Sequence, residues 1–250
     1  MLVPVAAKLR PSFAVALSSP RETADLVAAL PPGPVVCWQI DLFQAARLRA
    51  ELAARSLTAE VVALQDLWDL PQPAQTLVYP VQLGGERSLK LDVIEQAFHT
   101  LAPGGHLIVL SPYEQDNVIP PALKKVFGRV HVPMGADNAV FWCRREGERA
   151  RRRHEMTFQV RAHETTSLRF VSRPGVFSYG RFDHGARALV DAAEINPGDR
   201  VVDLGCGCGT NGILATQRCG PNGFVAFVDS NVRAIALTEL NARNLGVAQI

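Results

Sequence analysis

The 250-residue chain has no apolar run approaching the ~20 residues that span a bilayer. Its first residues, Met1-Leu2-Val3-Pro4, lack the charged stretch and hydrophobic core of an export signal, so neither a membrane anchor nor secretion is expected. The five cysteines are an odd number and none falls in Cys-x-x-Cys spacing. A zinc site and a disulfide framework are therefore not expected, and the cysteines read as small buried residues of a reducing, cytoplasmic compartment. Charge of one sign is also scarce: the net charge is +2. That balance permits nucleic acid as a partner without demanding it. With 48% hydrophobic residues, the chain has the composition and length for two globular domains.

Glycine, by contrast, is concentrated where it matters. Val201-Val202-Asp203-Leu204-Gly205-Cys206-Gly207-Cys208-Gly209-Thr210-Asn211-Gly212 runs from an apolar strand into a helix. Glycines at alternate positions allow a tight turn and close approach of backbone to a ligand, beside the free N–H groups of a helix start. Asp203 places a carboxylate at the strand's carboxyl end, where ligands of parallel sheets bind. Phe224-Val225-Ala226-Phe227-Val228 is a second strand, and it too ends in an acid, Asp229.

This strand, Asp-Leu-Gly-Cys-Gly-x-Gly, helix, strand, Asp order resembles the first half of a class I methyltransferase dependent on S-adenosylmethionine (SAM). The resemblance implies SAM as cofactor. It also implies that Gly205, Gly207 and Gly209, with Asp203, Cys206 and Asn211, pass under the methionine part of the cofactor, and that Asp229, beside Ser230, takes the two ribose hydroxyls. A carboxylate offers two acceptors to the two O–H donors of a cis-diol. Two rival readings stand beside it. Gly207 to Gly212 satisfies the G-x-G-x-x-G pattern of dinucleotide sites, although Asp203 would repel a pyrophosphate. A purely structural glycine turn is the other.

The N-terminal half alternates strands and helices. Strands are expected over Phe13–Leu17, Val35–Ile40, Glu60–Leu64, Gln75–Val81 and His106–Leu110, and helices over Arg21–Leu30, Leu42–Arg55, Ser88–Leu101 and Val118–Phe127. Pro103-Gly104-Gly105 reads as the stop of the third helix. Val130–Val132 and Ala139–Cys143 read as a closing hairpin around Gly135-Ala136-Asp137-Asn138. Such alternation implies a mostly parallel sheet covered on both faces. A gapless shift of 188 lays Asp41 on Asp229, Ala46 on Ala234, Glu51 on Glu239, Leu52 on Leu240, Ala54 on Ala242, Arg55 on Arg243 and Leu57 on Leu245. Two copies of one unit explain this, as would two unrelated helices built of common helix formers. The first copy has Ser18-Ser19-Pro20 where the second has its glycines, so it is not expected to bind SAM.

Between the halves lies the basic run Arg144 to His154, either a solvated linker or a phosphate-contacting stripe. A hairpin is expected over Met156–Val160 and Leu168–Val171, turning through His163–Ser167, then a helix from about Phe182 to Ile195. Pro174-Gly175-Val176-Phe177-Ser178, followed by Asp183-His184-Gly185, is similar to the entry segment of the ribosomal RNA guanine-N2 methyltransferases, whose inactive first domain is joined to an active second one. That resemblance implies that Phe177, Ser178 and Asp183 line the cofactor entrance. It also implies ribosomal RNA or a ribosomal subunit as partner, with candidate contacts Arg151, Arg152, Arg153, Arg173 and Arg181. His184, as a helix-start residue, reads as a surface or capping residue rather than a base.

The family's Asn-Pro-Pro-aromatic motif does not occur in the 250 residues, so no catalytic residue is assigned within the chain. The expected architecture is α/β, with two tandem Rossmann-like methyltransferase domains of which the second is incomplete and exposes a sheet edge. Its parts are a degenerate domain over 1–145, a basic linker over 146–155 and the N-terminal half of the SAM-binding domain over 156–250. The expected activity is methyl transfer to the exocyclic N2 of a guanine in ribosomal RNA. The alternatives are a non-catalytic RNA-binding or assembly module, and methylation of a protein or small molecule.

Overall fold

In a computed structural model, residues 2–113, 115–133, 140–162 and 166–247 are described. The chain forms two compact units, Met1–Arg152 and Arg153–Ile250, which divide inside the stretch expected to be a linker. Among the described residues, no helix is long and apolar enough to cross a membrane.

The first unit comprises β1 (Phe13–Ala16), α1 (Pro20–Ala29), β2 (Val35–Gln39), α2 (Leu42–Ala54), β3 (Glu60–Ala63), β4 (Ala74–Pro80), α3 (Arg87–Thr100), β5 (Leu101–Leu110), α4 (Ile119–Phe127) and β6 (Val140–Arg144). Its sheet has the order β3-β2-β1-β4-β5-β6, parallel except for antiparallel β6. The strands are nearly all apolar because both faces are covered. Leu77, Ile94, Phe98, Leu107 and Leu123 pack on one face, and Phe13, Leu26, Leu48, Val78 and Ile108 on the other. Helix starts follow the caps: the Ser19 hydroxyl accepts from Glu22 N, and Asp41 Oδ1 accepts from Gln44 N at 2.8 Å.

Two expectations need correction here. Val130–Val132 does not form a hairpin strand: only one bridge, His131 to Trp142, joins it to β6, which instead pairs with β5. The turn at 135–138 lies outside the described residues. Secondly, α3 ends at Thr100 and β5 starts at once, at Leu101, so Pro103-Gly104-Gly105 lies within the strand, at its irregular register with β4, rather than after the helix.

The second unit comprises β7 (Met156–Arg161), β8 (Ser167–Ser172), α5 (His184–Ala192), β9 (Arg200–Leu204), α6 (Thr210–Cys219), β10 (Phe224–Val228) and α7 (Val232–Asn244). β7 and β8 are antiparallel, and β9 and β10 are parallel in full register from Arg200/Phe224 to Leu204/Val228. Much of the expected turn between β7 and β8, residues 163–165, lies outside the described residues. α5 stops at Ala192, short of Ile195, and its cap is Asp183, whose Oδ1 accepts from Gly185 N and Ala186 N, so His184 is its exposed first residue. Among the described residues no strand pairs with the outer edge of β9. Val202 (64% exposed) and Leu204 (81%), two apart on the strand, share a face of the sheet that stands open.

The helix caps fix how the two units compare. Asp41 caps α2 and Asn231 caps α7, 190 positions apart, so the gapless shift of 188 is not the structural register. The reason is loop length: residues 17–19 join β1 to α1, whereas residues 205–209 join β9 to α6. At the helix register it is Gln39, not Asp41, that stands at the place of Asp229.

Candidate SAM-binding cleft

The loop from β9 to α6 is left-handed at Gly205 (φ 77°), Gly207 (φ 58°) and Gly209 (φ 86°), where side chains are disfavoured. Both acids hold it. Asp203 Oδ2 accepts from Gly212 N at 2.8 Å, tying the strand end to the first turn of α6. Asp229 Oδ2 accepts from Gly207 N and Oδ1 from Asn231 N, each at 2.9 Å, which leaves each oxygen a further acceptor site. Gly205 N and Cys206 N both donate to Val228 O, so the turn is sewn to β10.

A polar shelf on α7 carries the other side of the loop. Thr238 Oγ1 donates to Gly207 O at 3.1 Å. Asn241, fully buried, donates to Cys208 O at 2.8 Å and Val171 O at 2.9 Å and accepts from Val171 N at 2.8 Å. These two residues escaped the sequence reading. Their signal was there: two polar residues three apart on one helix face, opposite the exposed one. Asn241→Ala leaves three buried backbone groups without partners and is expected to destabilise the second unit by about 2–4 kcal/mol. Chemical denaturation measures this, and a loss below about 1 kcal/mol would contradict the shelf.

Phe177, Ser178, Asp183, Asp203, Gly205, Cys206, Gly207 and Asn211 all line one cleft of about 100 Å³, joined by Arg181, Ala186, Cys208 and Thr210. The entry segment and the glycine loop, some thirty residues apart in the chain, thus face the same space. Ser178 is itself left-handed (φ 58°), and Ser178 Oγ and Asn211 Oδ1 are buried without a hydrogen-bond partner. Strain and unpaired polar atoms meeting in a cleft mark a place that a ligand completes. Gly209, Asp229 and Ser230 do not line it. Gly209 has a packing reason instead, since a Cβ there would lie 3.0 Å from the Thr238 side chain. Asp229 is half-buried and holds Gly207 N of the loop, and Ser230 is exposed.

Burial pushes the Asp203 carboxyl above its ordinary range; the Gly212 N–H opposes this and the neighbouring Asp229 charge adds to it. Burial likewise pushes the Cys206 thiol up to about 11 and Cys208 to about 12, so both stay protonated and serve as packing. All five cysteines are free and buried, and among the described residues no His, Cys, Asp or Glu cluster could hold a metal.

The arginines divide. Arg173 is only 3% exposed, so it is not a surface contact for RNA: it lies between β8 and the cleft segment, within the unit's interior. Arg151 lies 5.3 Å from the Trp68 ring, Arg145 and Arg149 lie over Phe98, and Arg149 pairs with Glu95 at 2.9 Å. Part of the basic run is therefore packing for the first unit. Arg152, Arg153 and Arg181 are exposed.

The architecture is a Rossmann-like α/β fold, and comparison with known proteins says what it is similar to. Residues 167–249 match the family model of the methyltransferase small domain. Ribosomal RNA small subunit methyltransferase C of Pseudomonas putida is 38% identical over 79 residues, 32% of this chain and 24% of that protein. Ribosomal RNA large subunit methyltransferase G of Pseudoalteromonas translucida is 37% identical over 79 residues, 31% of this chain and 20% of that protein. The matched segment thus spans about a quarter or less of these relatives. Among solved structures, the Thermus thermophilus 16S rRNA N2 G1207 methyltransferase in complex with AdoMet and guanosine superposes with a TM-score of 0.69 at 19% identity, over 97% of this chain and 67% of that one. The likeness takes in both units and shows a shared fold.

Proposed function

We propose that the chain is the SAM-binding portion of a methyltransferase that modifies ribosomal RNA in the cytoplasm, at the exocyclic N2 of a guanine. The observation that carries this reading is the glycine loop held between two acids, bordering a cleft lined also by Ser178 and Asn211, each of which carries a buried oxygen without a hydrogen-bond partner. The residues fit SAM and not a pyrophosphate. A Cβ at Gly205 would project into open space, so the backbone there is bare toward a ligand. The raised carboxyl of Asp203 is relieved by a cation and aggravated by an anion.

Bound SAM supplies an electrophilic methyl on a positively charged sulfur. Asp229 takes the ribose hydroxyls, for which both of its oxygens keep acceptor capacity while they order the loop. Gly205 and Gly207 let the cofactor lie against the backbone. Ser178 and Asn211 offer polar atoms to the amino-acid end, Asp203 offsets the positive charge, and Phe177, 75% exposed, flanks the mouth. Arg151, Arg152, Arg153 and Arg181, all exposed, are the proposed contacts for RNA phosphates. The contribution of the chain's own residues is thus positioning, which is most of what an in-line methyl transfer needs.

In the first unit the equivalent turn carries Leu17 in the left-handed region (φ 41°), buried in the core, and Gln39 Nε2 donates to Ser18 O at 3.0 Å. Side chains fill what glycine leaves bare in the second unit, so the first unit does not bind SAM.

The second reading is a non-catalytic RNA-binding module. Incubation with SAM labelled in its methyl group and ribosomal subunits, followed by digestion to nucleosides, decides between them. Label in N2-methylguanosine is expected; SAM binding with RNA retention but no label selects the module, and label confined to protein refutes the RNA substrate.

Asp203→Asn gives a check with opposite signs. A carboxyl raised in the folded state makes stability fall as pH climbs from the ordinary carboxylate range through the folded value, and the deficit persists above it. Asparagine keeps an acceptor for Gly212 N and removes that deficit. The variant is expected to melt higher than the parent at neutral pH, with the difference vanishing in acid below the ordinary carboxylate range, while binding SAM about tenfold more weakly. A lower melting temperature at neutral pH would show that Asp203 is there for stability alone.

A further inference from the structure

We infer that the first unit carries a docking surface for single-stranded RNA, built around a stack of His131 on Trp142. The rings are 4.0 Å apart and 11° from parallel. Lys8 Nζ lies 4.4 Å from the Trp142 ring centroid, and His106 meets it edge-on. Trp142 is half-buried against the core beside β5, whereas His131 is exposed, so the stack is rooted in the fold and ends in an open imidazole face. The His131 and Trp142 backbones exchange two hydrogen bonds of 3.0 Å, which fixes the ring pair without help from either side chain.

The surroundings are cationic. Arg10 and Arg144 are exposed beside Lys8, and Arg10 is pinned by its own backbone N–H to Thr76 Oγ1 at 2.8 Å. Buried His106 lies beneath, and the charges that bear on it, Arg10, Lys8 and Arg144, are all positive. Glu146 pairs with Arg144 at 3.6 Å at this rim. An open aromatic face with fixed cations around it matches a strand of unpaired nucleotides, whose bases stack and whose phosphates pair with the cations. None of these residues belongs to the cofactor cleft, and of the basic run from Arg144 to His154 only Arg144 and Glu146 take part. The choice of RNA among polyanions rests on the proposed function; the platform does not.

Fluorescence anisotropy of a labelled short single-stranded RNA on the whole chain, between about 50 and 200 mM salt, tests it. His131→Ala is expected to weaken binding about fivefold or more, and His131→Phe, which keeps a stacking face, to restore it. Lys8→Gln with Arg10→Gln is expected to lower the salt slope by about 0.7 for each phosphate contact removed. SAM affinity, read by calorimetry on the same variants, is expected to be unchanged. Loss of RNA binding in these variants upholds the surface even if the protein transfers no methyl group to RNA. Unchanged RNA affinity and slope in all of them overturns it, as does a loss confined to anionic vesicles.

Discussion

Asp229→Ala is expected to weaken SAM binding about 100-fold or more. The carboxylate sits where its two oxygens already order the site, one on Gly207 N and one on Asn231 N, both at 2.9 Å. Each oxygen retains a lone pair, and a ribose offers two O–H donors. A hydrogen bond to a charged group is worth about 1.5–3 kcal/mol, so losing two costs about two decades of affinity before any loosening of the loop is counted. Asp229→Asn keeps the shape and one acceptor and is expected to fall between, at about tenfold. The two roles of the acid, ordering the loop and gripping the ligand, separate in a double-mutant cycle with a SAM analogue that lacks one ribose hydroxyl. Against the parent the analogue binds more weakly; against Asp229→Ala the missing hydroxyl makes no further difference. If the analogue loses equally against both, Asp229 only shapes the loop.

How much of this was legible without coordinates depended on how local its cause was. The glycine loop and its acids were, because left-handed backbone at 205, 207 and 209 can be read from residue type alone. So were the strands of the first unit, whose apolar runs reflect a sheet covered on both faces. The entry segment came by resemblance, and the structure brings Phe177, Ser178 and Asp183 to the same cleft as the loop. What failed was long-range. Nothing near Arg173 in the chain announces that it is buried, and nothing near Arg149 or Arg151 points to Glu95, Phe98 or Trp68, more than fifty residues earlier. The gapless shift of 188 does not lay helix on helix, because the loop after β9 is two residues longer than the one after β1, a difference that a gapless comparison cannot register. Gly209 was assigned to the ligand because three alternating glycines look alike in sequence, although the left-handed backbone and the 3.0 Å approach of a Cβ to Thr238 give the third one reasons within the fold.

That distinction among glycines leads to the other large effect. Gly205→Leu is expected to lower SAM affinity at least about 100-fold while costing only about 1–2 kcal/mol of stability, since a left-handed residue with a side chain is strained by that order. Nothing stands within 4 Å of a Cβ built there, so the added side chain meets no protein and instead enters the cleft. Gly212→Ala makes the opposite case: its Cβ would lie 2.1 Å from the Phe227 ring, a stiff group, so folding of α6 against β10 suffers. One substitution empties the site of its ligand and leaves the fold; the other disturbs the fold. Calorimetry with SAM and denaturation of both variants would show the crossing of effects. SAM affinity within about threefold of the parent in Gly205→Leu would mean that the ligand does not lie against this loop. The first unit offers a comparison, for its turn after β1 opens with Leu17, left-handed and buried in its own core. A leucine at such a turn is therefore compatible with an α/β fold, so the expected loss in Gly205→Leu falls on the ligand and not on folding, as the proposed cradle requires.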